Sequence, residues 1–312
     1  MPPPPPSNLR WPGRSFTPPA TAAAPTAWPR ISIVTPSYNQ APFIEETLIT
    51  VLAQDYPNLE YVVMEDGSTD GSPAIIEKYR SHLAQYVAES NRGFGAVLHD
   101  GLSRTTGEIM AWLNSDDLYL PYTLATVARI FQDCPEVEWI TGLSLLCDQS
   151  GNLVRTTAPE GFSRRLFFSG RYLGGHPAWS GRWIPQESVF WRRSLWEKSG
   201  AHFLTERLQY GDFELWSRFW KHADLHLVPL PLGVYREHAG TYTSTRGTKS
   251  IEPCTRLLTA AGEPTLSVGA IRRQELLSRL GTRALRRFGQ PAKAVRYDST
   301  AARWRSETIY VA

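Results

Sequence analysis

The sequence predicts an α/β fold with a mostly parallel central sheet flanked by helices, and two observations lead to it. Runs of β-branched and apolar residues alternate with helix-spaced segments four times at crossover length, the pattern of a parallel sheet covered on both faces. The chain of 312 residues, 42% hydrophobic and 20% charged, also suits one large α/β domain with extensions and a substantial core.

The elements follow in order. "RISIVTP" reads as a buried strand bounded by Pro36. "PFIEETLITVLAQ" has helical spacing, with Phe43, Leu48, Val51 and Leu52 on one side. "LEYVVMEDGSTDGS" is a strand running into a turn rich in Asp, Gly and Ser. "SPAIIEKYRSHL" reads as a helix, "QYVAES" as a short strand and "FGAVLHDGLSRT" as a helix. "GEIMAWLNSDD" is a fourth strand, "LPYTLATVARIFQD" a helix with Pro near its first turn, and "EVEWITGLSLLCD" a fifth strand. Further on, "IPQESVFWRRSLWEKSG" reads as strand then helix. "QYGDFELWSRFW" reads as a helix packing Phe213, Trp216, Phe219 and Trp220 inward, with Asp212 in its first turn.

Composition narrows the function. No stretch approaches the ~20 apolar residues of a membrane-spanning helix. The first thirty residues, proline-rich and without an apolar h-region, are expected to be an unpacked, disordered segment and not a secretory signal. Cys134, Cys147 and Cys254 form no C-x-x-C pair, which points to a reducing, cytoplasmic setting and away from a zinc site. The net charge of +3 is unevenly spread: residues 31–270 are net negative by roughly seven, and the basic residues gather at the end of the chain. That distribution argues against a nucleic-acid partner.

Ligands of such sheets bind outside the carboxyl ends of the strands. Those ends here are "TPSYN", "EDGSTD", "SNRG" and "NSDD". The turn after the first strand has no glycine, which excludes a dinucleotide-binding G-x-G-x-x-G and a P-loop. In "NSDD" two adjacent acids either cap the next helix or hold a metal. One acid suffices for a cap, whereas carboxylate oxygens suit Mg²⁺ or Mn²⁺.

At this point a resemblance is visible. "IVTPSYNQAPFIEETLITVLAQDYPNLEYVVMEDGSTDGS", "NRGFGAVLHDGLSRTTGEIMAWLNSDDLYLP", "IPQESVFWRRSLWEKSG", "YGDFELWSRF" and "YREHAGTYTS" occur in the order and spacing of the family 2 inverting glycosyltransferases, which this chain resembles over residues 31–247. The resemblance implies the GT-A fold, a nucleotide-sugar donor (most often a UDP-sugar) and a glycan or lipid-linked glycan acceptor. It places Thr35, Pro36, Tyr38, Asp66, Arg92, Asn114 and Ser115 along the nucleotide. "NSDD" is similar to the family's D-x-D, with Asn114 where Asp is common. Asp116 falls on the usual metal ligand, with Asp117 beside it, and the cofactor implied is Mn²⁺ or Mg²⁺. His238 corresponds to a late histidine that many such enzymes use as a metal ligand, and Arg236 is a weaker phosphate candidate. Asp212 corresponds to the catalytic base, although Gly211 stands where the family usually has Glu. Gln186, Glu187 and Trp183 are acceptor-side candidates. A nucleotide-sugar binding protein without turnover is the alternative, kept open by Asn114 and Gly211. A carbohydrate-binding module built on the eleven tryptophans would not explain acids at the strand ends.

Two segments lie outside the catalytic chemistry. The Ser/Thr-rich stretch Thr241–Thr245 is expected to form a loop able to close over the diphosphate. Residues 248–312 are expected to be a basic extension containing an amphipathic helix. Leu277, Leu280, Ala284 and Phe288 would form one stripe, opposite Arg272, Arg279, Arg283 and Arg286. Such a helix either packs on its own domain or makes peripheral contact with an anionic membrane at its inner face.

Overall fold

The computed structural model of the protein describes residues 27–156, 161–203, 211–239 and 251–312. The bulk of the N-terminal proline-rich segment, the Thr241–Thr245 stretch and the expected domain boundary at 247 lie outside them.

The sheet is built around β1 (Ile31–Ser37), all seven residues of which are buried. It pairs in parallel with β2 (Leu59–Glu65) and β4 (Ile109–Trp112), and β2 pairs in parallel with β3 (Gln85–Ala88). Pro36, expected to bound the first strand, lies inside it; pairing with β4 has already ended at Val34 and Trp112. The crossovers are α1 (Ile44–Leu52), α2 (Ser72–Glu77) and α3 (Phe94–Ser103). Helix α1 places Leu48 and Val51 in the core, as its spacing predicts.

Beyond β4, β5 (Leu118–Tyr119) leads into α4 (Thr123–Asp133), and β6 (Trp139–Cys147) is flanked by the exposed β7 (Leu153–Thr156). A short helix α5 (Arg164–Phe168), β8 (Phe190–Arg192), α6 (Arg193–Lys198), α7 (Gly211–Phe219) and β9 (Leu225–Arg236) follow. Strand β8 runs antiparallel between β4 and β6, and β9 lies parallel to β6. The carboxyl ends of β1, β2, β3, β4, β6 and β9 therefore share one edge of the sheet.

The C-terminal segment differs from expectation. Helices α8 (Glu252–Ala260), α9 (Val268–Ser278) and α10 (Thr282–Phe288) precede the hairpin β10 (Gln290–Asp298) and β11 (Arg303–Val311). The main sheet order is β11-β10-β9-β6-β8-β4-β1-β2-β3. The last two strands thus complete the sheet, and these residues are part of the fold and not an appendage to it. The single amphipathic helix expected near residue 280 is two helices, broken at Gly281, whose φ of 104° is left-handed.

The core explains most of the tryptophans. Trp112, Trp139, Trp191, Trp216 and Trp220 are all buried, and Trp216 stacks on Trp112 with centroids 5.5 Å apart and ring planes 17° apart. Edge and offset contacts among these rings add to their area burial. They are spent on packing and offer no platform for a glycan.

Candidate functional site at the carboxyl edge of the sheet

The pairing of β5 with β9 assembles the site. Leu118 lies opposite Val234 and Tyr119 opposite Gly233. The close approach needs Gly233, because a Cβ there would meet the Glu187 carbonyl oxygen at 2.5 Å. Extending that register brings "NSDD" beside Arg236 and His238, about 120 residues later. The acids do not cap α4, whose N-cap is Tyr122 without a side-chain bond.

The adjacent acids lie at the end of a turn closed by the Asp117 N–H on the Asn114 carbonyl at 3.1 Å, and their surroundings differ. Asp117 points inward and is 1% exposed. Its Oδ1 accepts from the Arg236 backbone N–H at 3.0 Å, and its Oδ2 from Asn114 Nδ2 at 3.1 Å. Burial, then the neighbouring Asp116 and Glu187, push its carboxyl well above the ordinary range. Asp116 points the other way: its Oδ2 lies 3.0 Å from His238 Nε2. The imidazole packs on the Phe43 ring at 4.3 Å between centroids.

Arg236 organises this pair and is itself buried. Its Nε donates to the Asp116 carbonyl oxygen at 2.9 Å, one terminal nitrogen donates to Glu46 Oε2 at 2.5 Å, and the guanidinium lies 5.2 Å from the Phe43 ring centroid. So engaged, Arg236 is a clamp behind the site and not a phosphate ligand facing it. Glu46 and Phe43, on and just before α1, are participants that sequence reasoning missed.

The other predicted residues fall into two groups. Asn114 donates to Gln186 Oε1 at 2.9 Å, and Gln186 Nε2 donates to the Trp112 carbonyl at 2.8 Å. This fixes the end of β4, while the Asn114 Oδ1 is buried without a partner among the described residues. Glu187 is buried, and burial raises its carboxyl to about 7. Ser115 is buried. Thr35 and Pro36 are inside the sheet, with the Thr35 hydroxyl 3.0 Å from that of Tyr61, whereas Tyr38 is exposed at the edge. Asp66 is buried and accepts from the backbone N–H groups of Arg92 at 2.7 Å and Gly93 at 3.0 Å. It thereby shapes the "NRGFG" turn. The Arg92 side chain pairs with Glu89 and Asp100, both at 2.9 Å. Trp183 is partly buried beneath the Arg155 guanidinium.

Asp212 stands in the first turn of α7, its Oδ1 accepting from the Phe213 N–H at 2.8 Å. One turn on, about 5.4 Å, Trp216 shares its helix face and stacks on Trp112, the last residue of β4. That anchors the helix start near the carboxyl edge. Burial raises the Asp212 carboxyl above its ordinary value, which makes it a better proton acceptor.

No group of three or more His, Cys, Asp or Glu able to hold a metal occurs among the described residues. Asp116 and His238 converge at 3.0 Å, one carboxylate oxygen and one imidazole nitrogen. This donor set fits Mn²⁺ completed by diphosphate and water oxygens, whereas Mg²⁺ would use the Asp116 carboxylate and those oxygens without the imidazole.

Comparison with known proteins bears on the family and the fold. Residues 32–167 match Glycosyl transferase family 2. An uncharacterized glycosyltransferase of Rickettsia prowazekii (strain Madrid E) is 28% identical over 220 residues, 70% of this chain and 67% of the relative. Staphylococcus aureus TarS 1–349 in complex with UDP-GlcNAc superposes with a TM-score of 0.60 at 21% identity, covering 80% of this chain and 71% of that one. A mannosyltransferase of Pyrobaculum calidifontis in complex with GDP-Man and Mn²⁺ gives a TM-score of 0.52 at 22% identity, covering 86% and 80%. The fold shared with both is the GT-A fold expected above.

Proposed function

This chain carries a glycosyl transferase family 2 domain, and on that premise we propose that it moves a sugar from a nucleotide-sugar donor to a hydroxyl of a glycan or lipid-linked glycan, with inversion at the anomeric carbon. The single observation behind this reading is the 3.0 Å contact between Asp116 Oδ2 and His238 Nε2, which brings together two motifs 122 residues apart.

Asp212 takes the proton of the acceptor hydroxyl. The acceptor oxygen then forms the new bond to the anomeric carbon as the bond from that carbon to the diphosphate breaks, and the nucleoside diphosphate leaves. General-base help of this kind contributes on the order of 10²–10⁴-fold. Mn²⁺ on Asp116 and His238, or Mg²⁺ on Asp116, would neutralise charge gathering on the leaving diphosphate. Tyr38 offers an exposed ring to the base, and the unpartnered Asn114 Oδ1 is an acceptor for a donor hydroxyl. Asp66 serves the nucleotide by holding the Arg92–Gly93 turn. Gln186 holds Asn114 in place, and Trp183 lines the acceptor side. A UDP-sugar is the preferred donor, a choice that rests on the family alone.

The test is a panel of nucleotide sugars, with and without Mn²⁺, scored for nucleoside diphosphate release in the presence of candidate acceptors. Metal-dependent release with one donor supports transfer. Saturable donor binding without release under any acceptor would instead make the protein a nucleotide-sugar binder.

A further inference from the structure

The surface of α9 and α10 has a composition that the transfer chemistry does not use. Ile271 and Gln274 are buried and define the inner face of α9. At about 100° per residue, Arg272, Arg273, Leu276 and the C-cap Arg279 gather on the opposite face, Leu280 follows in the turn, and all five are exposed. Leu276 is 65% and Leu280 76% exposed, far beyond what packing on the domain would leave. Arg283, Arg286 and Arg287 add three exposed cations on α10. None of these six arginines forms an ion pair with a described residue; the one acid of the unit, Glu275, is engaged by Arg171. The stripe differs from the one expected from sequence, because arginines and leucines here share a face.

We propose that this face docks on an anionic lipid surface, the arginines over the headgroups and Leu276 and Leu280 entering the acyl boundary. Charge complementarity selects the partner: three arginines on this face and three more exposed on the adjoining α10, none paired with a described acid, need an anionic one. Two solvent-facing leucines among them exclude a purely phosphate-lined polymer, which gives an aliphatic tip nothing to enter. Amphipathic helices held at a membrane interface combine these same two ingredients. Among the described residues no helix is long and apolar enough to cross a membrane, so the contact is peripheral.

The test is flotation of the full chain with phosphatidylcholine vesicles, with and without phosphatidylglycerol, at low and high salt. The chain partitions onto the anionic vesicles only, and salt weakens it. The triple variant Arg272→Gln/Arg273→Gln/Arg279→Gln loses about a hundredfold in partitioning, at roughly fivefold per arginine. The variant Leu276→Ser/Leu280→Ser keeps the charge and still loses about tenfold or more. Unchanged thermal melting of both variants shows that the loss is not misfolding. Partitioning that ignores the lipid charge or both variants overturns the proposal. So does a result in which the leucine variant abolishes self-association in light scattering while vesicle binding stays intact.

Discussion

Replacing Arg236 with Met separates a structural clamp from a phosphate ligand. The change removes a partly buried charge-assisted bond to Glu46 at 2.5 Å and the bond to the Asp116 carbonyl at 2.9 Å. A hydrogen bond to a charged group is worth roughly 1.5–3 kcal/mol, and a stranded buried carbonyl costs roughly 1–3 kcal/mol. Part of the packing on Phe43 survives in Met. The expected loss is about 3–5 kcal/mol, the size typical of breaking a buried ion pair, or a fall in melting temperature of roughly 10 °C. The assay is denaturation with neither nucleotide nor metal present. A variant that melts like wild type, yet has lost affinity for nucleoside diphosphate, would refute the clamp and return Arg236 to the phosphate.

The remaining predictions concern the base, the sheet and pH. Asp212→Asn abolishes transfer while donor affinity stays within about twofold, because the base acts on the acceptor; a variant keeping more than about a tenth of the rate would place the base elsewhere. Gly233→Ala forces the Glu187 backbone away from β9 and lowers stability by about 1–3 kcal/mol in urea unfolding; an unchanged midpoint would contradict the close approach. His226 is held by the Asp224 carbonyl and Ser306, and burial depresses its pKa from 6.5 to about 4. A depressed pKa gives stability that is present above 6.5 and lost as pH falls toward 4. At about 1.4 kcal/mol per unit the loss is roughly 3 kcal/mol. His226→Gln flattens that part of the stability profile, and parallel profiles for the two proteins would show that His226 does not titrate there.

The parallel half of the sheet was legible because its strands are apolar runs separated by clear helical spacing. Strand β5 was not: two residues carry no periodicity, and their partner is Gly233–Val234, over a hundred positions away. Sequence brought Asp116, Asp117 and His238 forward together, but could not say which acid faces inward. That choice is set by the β5–β9 register, which buries Asp117 against the Arg236 amide and leaves Asp116 to His238. The engagement of Arg236 with Glu46 and the Asp116 carbonyl was hidden for the same reason, since an arginine beside a binding motif reads alike whether it faces a ligand or the core. The hairpin β10–β11 was overshadowed by its arginine content, although "PAKAVRY" alternates as a strand should.

The pairing of Asp116 with His238 is the centre of the account, and a crystal structure with Mn²⁺ and a nucleoside diphosphate tests it most directly. The account predicts one ion at the carboxyl edge of the sheet, with an Asp116 carboxylate oxygen and His238 Nε2 both within bonding distance, ~2 Å, and the diphosphate completing its coordination. An ordered ion and diphosphate with the His238 ring more than about 4 Å from both, well outside that bonding range, would contradict it.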